Sequence, residues 1–442
     1  MPVYYDPNDA KYHVATENSV YAGYELRLPS ETPDNRSHHF VYRPKDSLFG
    51  YCAWPSSCID ENGVIYAVSA AFRTSHACPF GKLAMYISRD GGLTWSHPIV
   101  MVDTFCEEMD AGICYMGKGR IILTYSSKPG DFNYFEYYNR LKDTIWGSDG
   151  SLDGTLRAAL VDCYDLIPPE MLVGGAYAMV SEDYGFSWSE PVKIPIMNVL
   201  GATRLSDTEA IIIGSDYFFD GSLTIERLKN KNDMEARITA DTWDEWAEKL
   251  LKSRIGTECR EQSIKIYATT DGGYTWEYRG VTQKPEGFKW SNVGETYACK
   301  LPDGSLIAGA RAENEVGFEN DFSVFTSRSY DDGRTWTPWI VTHVPGSPPH
   351  FLVHSSGALI LTVSRRVGKV KGQFALVSLD DGKTWCKEYA INPDGLNWDL
   401  GQPSTQELKD GSLATIYYQR YVDPNCEYPD FKPCIMCTKW TI

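Results

Sequence analysis

Positive charge is scarce in this sequence. Its 42 lysines and arginines are outnumbered by 59 aspartates and glutamates, which gives a formal net charge of −17 and an isoelectric point of about 5.0. Proteins that bind nucleic acids usually present a basic surface to the phosphate backbone. The composition therefore argues against a nucleic-acid partner, while a few arginines gathered at one site would still suffice to bind an anionic ligand.

Long apolar runs are also missing. No stretch is long and apolar enough to span a membrane, and the first residues, MPVYYDPNDAKYH, carry no apolar leader. We therefore expect a cytoplasmic protein with no membrane partner, in which the 12 cysteines are reduced thiols. Cys434 and Cys437 form a single CxxC pair, which alone is a weak metal or redox signal, so no metal site is predicted.

Several catalytic signatures are absent as well. The sequence contains no phosphate-binding loop, no nucleophile elbow and no HExxH pattern. It therefore gives no support to the enzyme classes that depend on those motifs, and it indicates no cofactor.

Internal repetition is the strongest feature that the sequence does contain. The eight-residue pattern S/T-x-D-x-G-x-T/S-W occurs at Ser88–Trp95, Ser181–Trp188, Thr269–Trp276, Ser329–Trp336 and Ser378–Trp385. The aspartate can accept hydrogen bonds from nearby backbone N–H groups, and the glycine supplies a positive φ, so each copy predicts a tight turn. We expect the tryptophan to pack between neighbouring sheets and to hold that turn in place.

A second repeat alternates with the first. Turn residues precede a short apolar strand six times, beginning at Gly63, Gly119, Glu209, Gly304, Gly357 and Gly411. Six hairpins of this kind predict an all-β protein, a six-bladed β-propeller with about four strands in each blade. The last hairpin has no eight-residue box, so we expect the C-terminal strands to pair with an N-terminal strand within residues 10–45.

The spacing of the boxes predicts two insertions within one propeller domain covering residues 1–442. Residues 129–170 are aromatic and rich in glycine, and are predicted to be a loop insertion. Residues 226–262 are predicted to be helical, because Trp243, Trp246 and Leu250 share a helical face and Thr242-x-x-Glu245 is a capping-box pattern.

The topology of a propeller also predicts where a site would lie. The start of each innermost strand and the end of the second strand meet at one rim, so loops from different blades can build a pocket there. Four of the six hairpins place arginine at the end of the second strand: Arg73, Arg311, Arg365 with Arg366, and Arg420. Several guanidinium groups at one mouth can bind a carboxylate or sulfate.

The boxes and hairpins together resemble those of the sialidase (neuraminidase) superfamily, the Asp-box or BNR-repeat propellers. The segment NVGETYACKLPDGSLIAGAR at 292–311 is similar to the sialidase stretch in which a glutamate partners the nucleophilic tyrosine and an arginine binds the substrate carboxylate. The resemblance implies those roles for Glu295 and Arg311. It also implies that Arg365 or Arg366 is the next arginine of the sialidase triad.

Three departures from that family pattern change the expected chemistry. Ala53-Trp54-Pro55 stands where the family's Arg-Ile-Pro-like motif is expected, so the first triad arginine is missing. The loop after Arg73 carries His76 and Cys78 in place of an aspartate acid. Gln402 occupies the likeliest position of the nucleophilic tyrosine. The standard Tyr/Glu/Asp sialidase mechanism is therefore not expected.

The sequence instead predicts a sialidase-like glycoside hydrolase that acts by acid/base catalysis on a terminal acidic or deoxy sugar. The candidate catalytic residues are Glu295, His76, Asp110 and Glu108. The candidate substrate-binding residues are Arg73, Arg311, His350, Arg365, Arg366, Gln402 and Trp54. The alternatives are a polysaccharide lyase acting on uronate-containing glycans and a noncatalytic glycan-binding propeller. A carbohydrate is the expected partner in each case, and the oligomeric state is not predicted.

Overall fold

The fold is known from a computed structural model, in which all regular elements of the described residues are β-strands. The structure describes residues 13–15, 24–26, 28–44, 49–74, 76, 78, 81–128, 167–168, 171, 174–197, 199–215, 263–283, 293–313, 322–421 and 432–442. Within these ranges, no helix has the length and apolar character needed to cross a membrane.

The described strands form six antiparallel blades of four strands each, which confirms the predicted six-bladed propeller. From the innermost strand outward, blade one contains Tyr51–Ile59, Ile65–Arg73, Lys82–Ser88 and Ile99–Val102. Blade two contains Glu107–Gly117, Arg120–Lys128, Gly175–Ser181 and Val192–Ile194. Blade three contains Thr203–Arg204, Ala210–Ser215, Ile264–Thr269 and Glu277–Val281. Blade four contains Val293–Lys300, Leu306–Glu313, Phe322–Ser329 and Ile340–Pro345. Blade five contains His350–Val353, Leu359–Arg365, Gly372–Ser378 and Lys387–Asn392. Blade six contains Gly401–Glu407, Leu413–Arg420, Pro433–Trp440 and Ser37–Tyr42.

The ring is closed by the two ends of the chain. Strand Ser37–Tyr42 pairs antiparallel with Pro433–Trp440 and is the outer strand of blade six. This pairing confirms the closure predicted from the missing sixth box, and it covers an edge that would otherwise be open. Two smaller elements also lie near the N-terminus: Ser30–Glu31 pairs parallel to Lys387–Asn392, and His13–Ala15 pairs with Tyr24–Leu26.

The hydrophobic core lies between the blades. Apolar residues alternate along the strands, so each sheet presents apolar side chains to both neighbouring sheets. Ile211 of blade three, for example, packs in one cluster with Leu306 of blade four. Tyr66 of blade one packs similarly with Ile121 of blade two. These clusters fix the angular position of each blade around the axis, and hence the position of the residues at the mouth.

The five Asp boxes form the turns between the third and fourth strands of blades one to five, at the rim opposite the mouth. In the first box, Gly92 N donates to Ser88 Oγ at 2.9 Å, Thr94 N donates to Asp90 Oδ1 at 2.9 Å, and Trp95 Nε1 donates to Gly92 O at 3.1 Å. Gly92 has a φ of 90°, which a glycine adopts without steric cost. The predicted tight turn is therefore confirmed.

The box tryptophans pack between blades, as predicted, but to different depths. Trp336 and Trp385 are buried, whereas Trp95, Trp188 and Trp276 are half-buried against the clusters that join neighbouring blades. The two predicted insertions cannot be compared with the structure in the same way. The helical insertion at 226–262 lies outside the described residues, as does the loop insertion at 129–170 apart from Ile167 and Pro168.

Candidate functional site

Four innermost strands carry a bulge at the same level of the propeller. Trp54, Asp110, Glu295 and Gln402 each have a positive φ, of 55°, 52°, 48° and 48°. Each lies where the pairing with the second strand of its blade changes register. A bulge bends the strand and redirects one side chain, and a left-handed conformation in a residue other than glycine is strained. The fold therefore holds these four side chains, all predicted as site residues, in one unusual geometry at the mouth.

His76, Asp399 and Tyr51 form a hydrogen-bonded triad at this mouth. The Tyr51 hydroxyl donates to Asp399 Oδ1 at 2.9 Å, and His76 Nδ1 lies 2.9 Å from the Tyr51 oxygen and 3.2 Å from Asp399 Oδ1. Because the single tyrosine proton goes to the carboxylate, Nδ1 of His76 carries the proton that it donates to Tyr51 and Asp399. In the neutral ring, the basic lone pair is then on Nε2.

The surroundings of the triad keep Asp399 charged and Tyr51 neutral. Burial opposes ionisation of Asp399, but the hydrogen bonds from His76 and Tyr51 and the charge of Arg420 outweigh it, so the pKa of Asp399 is lowered. Burial raises the pKa of Tyr51 well above its usual value, and the nearby Asp399 charge raises it further. A charged, buried aspartate is well suited to orient the imidazole and to stabilise its protonated form.

Two tryptophans flank His76. The Trp54 ring meets the imidazole edge-on, with centroids 4.9 Å apart, and the Trp398 ring lies 5.5 Å away on another side. Trp398 is 56% exposed and His76 is 34% exposed, so both remain accessible from the mouth. An exposed indole beside a titratable group is a surface on which the apolar face of a sugar ring can pack.

The mouth also contains three arginines and the carboxylate of Glu295. Arg311 Nη1 donates to Glu295 Oε1 at 2.6 Å, and Arg420 Nη2 lies 3.6 Å from Asp399 Oδ2. Arg366 is buried beside Gly401, where an added Cβ would come within 2.7 Å of Nη2. Gly401 also has a φ of 150°, so a side chain there would be strained as well as obstructed. Three guanidinium groups thus gather at the mouth of an otherwise acidic protein.

Tyr418 lies among these charges. Burial is the main reason that its pKa is raised, while Arg366, Asp399, Glu295 and Arg311 are all close enough to affect it. Its hydroxyl, both ends of the Gln402 amide and Glu295 Oε2 are buried without a hydrogen-bond partner among the described residues. Buried polar groups are costly unless they are satisfied. Four buried polar atoms at the mouth are thus left unsatisfied by the described part of the chain.

Two of the predicted substrate-binding arginines are held in ion pairs with buried carboxylates. Arg73 is fully buried and pairs with Glu107. Arg365 donates to Glu388 Oε1 at 3.1 Å and lies over the Phe374 ring at 4.1 Å, between blades four and five. Arg366, the alternative at this position, is the one that reaches the mouth. Direct substrate binding by Arg73 or Arg365 stays a prediction, and these contacts do not favour it.

Three further candidates lie apart from the triad. His350 is buried in the central channel, where its ring stacks on Tyr297 at 4.4 Å and burial lowers its pKa to about 3. Glu108 is buried beside Thr104 and Ser127, and burial raises its pKa to about 7. Asp110 Oδ2 lies 3.5 Å from Lys128 Nζ. The contacts that these three residues make within the described part of the chain lie away from His76, and their predicted roles stay predictions.

Sequence reasoning missed Tyr51, Trp398 and Tyr418. Strand alternation contains a signal for Tyr418, because residues 418 and 420 of the strand Leu413–Arg420 share a face and Arg420 ends that strand at the mouth. No comparable signal marks Tyr51 or Trp398. Among the described residues, no group of three or more His, Cys, Asp or Glu side chains is arranged to hold a metal ion.

Comparison with known proteins agrees with this architecture. Residues 252–421 match the family described as a BNR repeat-like domain, and residues 86–97 match the BNR/Asp-box repeat. A search of curated proteins by sequence gives no match.

Several solved structures share the fold. A protein of unknown function from Dyadobacter fermentans has a TM-score of 0.59 at 19% identity, covering 92% of this chain and 98% of its own. The NanB sialidase from Streptococcus pneumoniae has a TM-score of 0.59 at 13% identity, covering 94% and 71%. The GH93 α-L-arabinofuranosidase of Fusarium graminearum has a TM-score of 0.51 at 12% identity, covering 92% and 97%. At these identities the likeness concerns the fold.

Proposed function

We propose that this chain, an Asp-box propeller with the sialidase-like fold, is a glycoside hydrolase that removes a terminal acidic sugar by acid/base catalysis centred on His76. The observation that carries the proposal is the His76–Asp399–Tyr51 triad, which lies in the same mouth as Arg311, Arg366 and Arg420. The solved neighbours include glycosidases that act on quite different sugars, so the fold supports the reaction class and the mouth must supply the specificity.

An acidic group on the substrate follows from the charges at the mouth. Arg311 and Arg420 are each partly compensated by a carboxylate, Glu295 and Asp399 respectively. Arg366 adds a third guanidinium, and guanidinium groups bind carboxylates through paired hydrogen bonds. A carboxylate-bearing sugar would therefore find several guanidinium donors at the mouth, which a neutral sugar would not use in this way.

The chemistry assigned to His76 follows from its tautomer. Because Nδ1 is held by Tyr51 and Asp399, Nε2 is the nitrogen that exchanges protons with the substrate. The protonated ring donates from Nε2 to the departing glycosidic oxygen, and the neutral ring then accepts a proton from the attacking water. Glu295, through Oε2, which has no partner among the described residues, would stabilise the positive charge that develops at the sugar ring.

The test is a screen of the purified protein against aryl glycosides of acidic and neutral sugars and against uronate oligosaccharides. We expect turnover of an acidic glycoside, reduced at least about 100-fold in His76→Gln because a general acid/base is lost. Glu182→Gln, at the opposite rim, is the control and should retain full activity. Undiminished turnover in His76→Gln would contradict the assignment of His76, and failure of the whole screen would contradict the proposed reaction.

A lyase is the second candidate, because a neutral His76 with a basic Nε2 beside several guanidinium groups is also suited to remove a proton next to a carboxylate. The same screen separates the two reactions. Elimination creates an unsaturated uronate that absorbs in the ultraviolet, while hydrolysis releases a saturated sugar without that absorbance. Ultraviolet absorbance that rises in step with chain cleavage would replace the hydrolase proposal with the lyase.

A further inference from the structure

We infer that the buried ion pair of Arg73 and Glu107 positions His76 for catalysis, although neither side chain contacts the substrate. The inference rests on the proposed function, since it takes His76 to be the acid/base. Arg73 ends the second strand of blade one, and Glu107 begins the innermost strand of blade two. The pair therefore joins blades one and two next to the segment that carries His76.

Both members of the pair hold the backbone around His76. Arg73 Nη2 donates to the carbonyl oxygen of His76 at 2.6 Å. Cys78 N donates to Glu107 Oε1 at 3.2 Å, and Thr74 N contacts Cys78 Sγ at 3.4 Å. The main chain is thus held at His76 and at a residue on either side of it. A segment held at three points allows the imidazole little freedom to leave the triad.

Arg73 also supports the His76 side chain from below. Its guanidinium lies over the Trp54 ring at 4.8 Å, and the Trp54 ring meets the His76 imidazole edge-on at 4.9 Å. Arg73, Trp54 and His76 thus pack in series, and the ion pair with Glu107 fixes the position of Arg73. Arg73 therefore acts on His76 through the backbone and through the indole at the same time.

Stability alone does not account for such a pair. The side chains of Arg73 and Glu107 are 0% and 2% exposed, so both charges have lost their water. Desolvation offsets most of the attraction within a buried ion pair, and apolar replacements of both members are often as stable. Removing only one member leaves a buried charge and is strongly destabilising. The geometry points to one contribution of this ion pair beyond packing, which is to orient His76.

The experiment follows from that difference. The double variant Arg73→Met/Glu107→Leu removes both charges and keeps apolar volume, so it should fold with a melting temperature within a few degrees of the wild type. We expect kcat to fall about 10- to 100-fold while KM stays within about twofold, as for outer residues that orient a functional group. The matched control is Arg279→Met/Glu209→Leu, which removes an ion pair of 2.6 Å near the Asp-box rim and should leave kcat unchanged.

Nitrogen NMR of the histidine side chains gives a readout that does not depend on turnover. The His76 signals are identified by their loss in His76→Gln. In the wild type we expect one tautomer, with the proton on Nδ1, and in the double variant a mixture of both. A single tautomer with unchanged kcat in the double variant would overturn the inference. If no glycoside is turned over, the proposed function fails, while the tautomer measurement still decides whether the pair positions His76.

Arg73→Lys provides a second test in case the double variant does not fold. Lysine retains the charge facing Glu107 but loses Nη1, which donates to the Glu108 carbonyl oxygen at 3.4 Å, and the planar group that lies over the Trp54 ring. We expect this variant to populate both tautomers of His76. A spectrum identical to that of the wild type would overturn the inference as surely as the first result.

Discussion

The two rims of this propeller are built in opposite ways. At the Asp-box rim, five turns repeat one set of local hydrogen bonds, as in Asp271, whose carboxylate accepts from Tyr274 N and Thr275 N at 3.0 Å each. At the mouth, the four left-handed residues of the innermost strands all differ in type, and buried polar atoms of Gln402 and Tyr418 lack partners among the described residues. The Asp-box rim satisfies its own polar groups, and we propose that the mouth keeps such atoms for a ligand.

The difference extends to the response of the two rims to pH. At Asp271, burial opposes ionisation, but hydrogen bonds from Thr275 and Thr269 outweigh it and lower the pKa to about 2. This group contributes stability above its unfolded pKa near 4, and the contribution is lost as pH falls toward 2. Burial instead raises the pKa of Glu108, on the mouth side, to about 7. Regular turns thus favour the charged acid, whereas on the mouth side burial favours the neutral form of Glu108 while hydrogen bonds keep Asp399 charged.

The largest expected effect comes from changing the triad at the mouth. Asp399→Asn keeps the shape of the side chain but removes the charge that orients His76 and stabilises its protonated ring. We expect kcat/KM for the acidic glycoside to fall on the order of 10²- to 10⁴-fold, the range of a general acid/base contribution. Steady-state kinetics measure it, with Asp90→Asn in the first box as the control. Equal losses in the two variants would show that the rims do not differ in function.

The second effect tests the Asp-box rim. Trp336→Ala removes a buried indole from the cluster between blades three and four, and should cost about 3–5 kcal/mol in the free energy of unfolding. Trp398→Ala at the mouth removes an exposed indole and should cost less than about 0.5 kcal/mol while weakening substrate binding. Urea unfolding of both variants measures the contrast. A larger loss of stability in Trp398→Ala would reverse the comparison.

The smallest effect concerns Glu108. Between its ordinary pKa of 4.5 and its folded pKa of about 7, the native state binds a proton that the unfolded chain has released, so stability falls as pH rises through this window. Glu108→Gln removes that dependence and keeps an oxygen that accepts from Thr104. We expect the variant to be more stable than the wild type by about 2–3 kcal/mol at pH 8 and to show no gain at pH 4. An equal difference at the two pH values would argue against a neutral Glu108.

The fold was accessible from the sequence because its signals are local. Each Asp box spans eight residues, and its hydrogen bonds join residues at most four positions apart, as between Ser88 and Gly92. The ring closure was also accessible, because a hairpin without a box implied a strand from elsewhere in the chain. Such features depend on turn chemistry that neighbouring residues determine together.

The site was accessible only in part, because its contacts join distant segments. Glu295 and Arg311 belong to one hairpin, so the sequence could place them near each other, and the structure joins them in an ion pair. The triad instead joins residues 51 and 76 to residue 399, and no local pattern connects them. Arg365 and Arg366 illustrate a second limit. Neighbouring residues at the end of a strand face opposite sides of the sheet, so the choice between them depends on alternation that must be counted along the whole strand.

The pairing of Ser37–Tyr42 with Pro433–Trp440 has a consequence for biosynthesis. During translation strand Ser37–Tyr42 is made before the strands of blades one to five, whereas its partner Pro433–Trp440 is made after them. Until then the outer strand of blade six has no partner strand, and the flank of blade one that packs against blade six is exposed to water. The partly synthesised propeller is therefore an open ring with uncovered strand edges. Chaperones or rapid release from the ribosome would protect this state from aggregation.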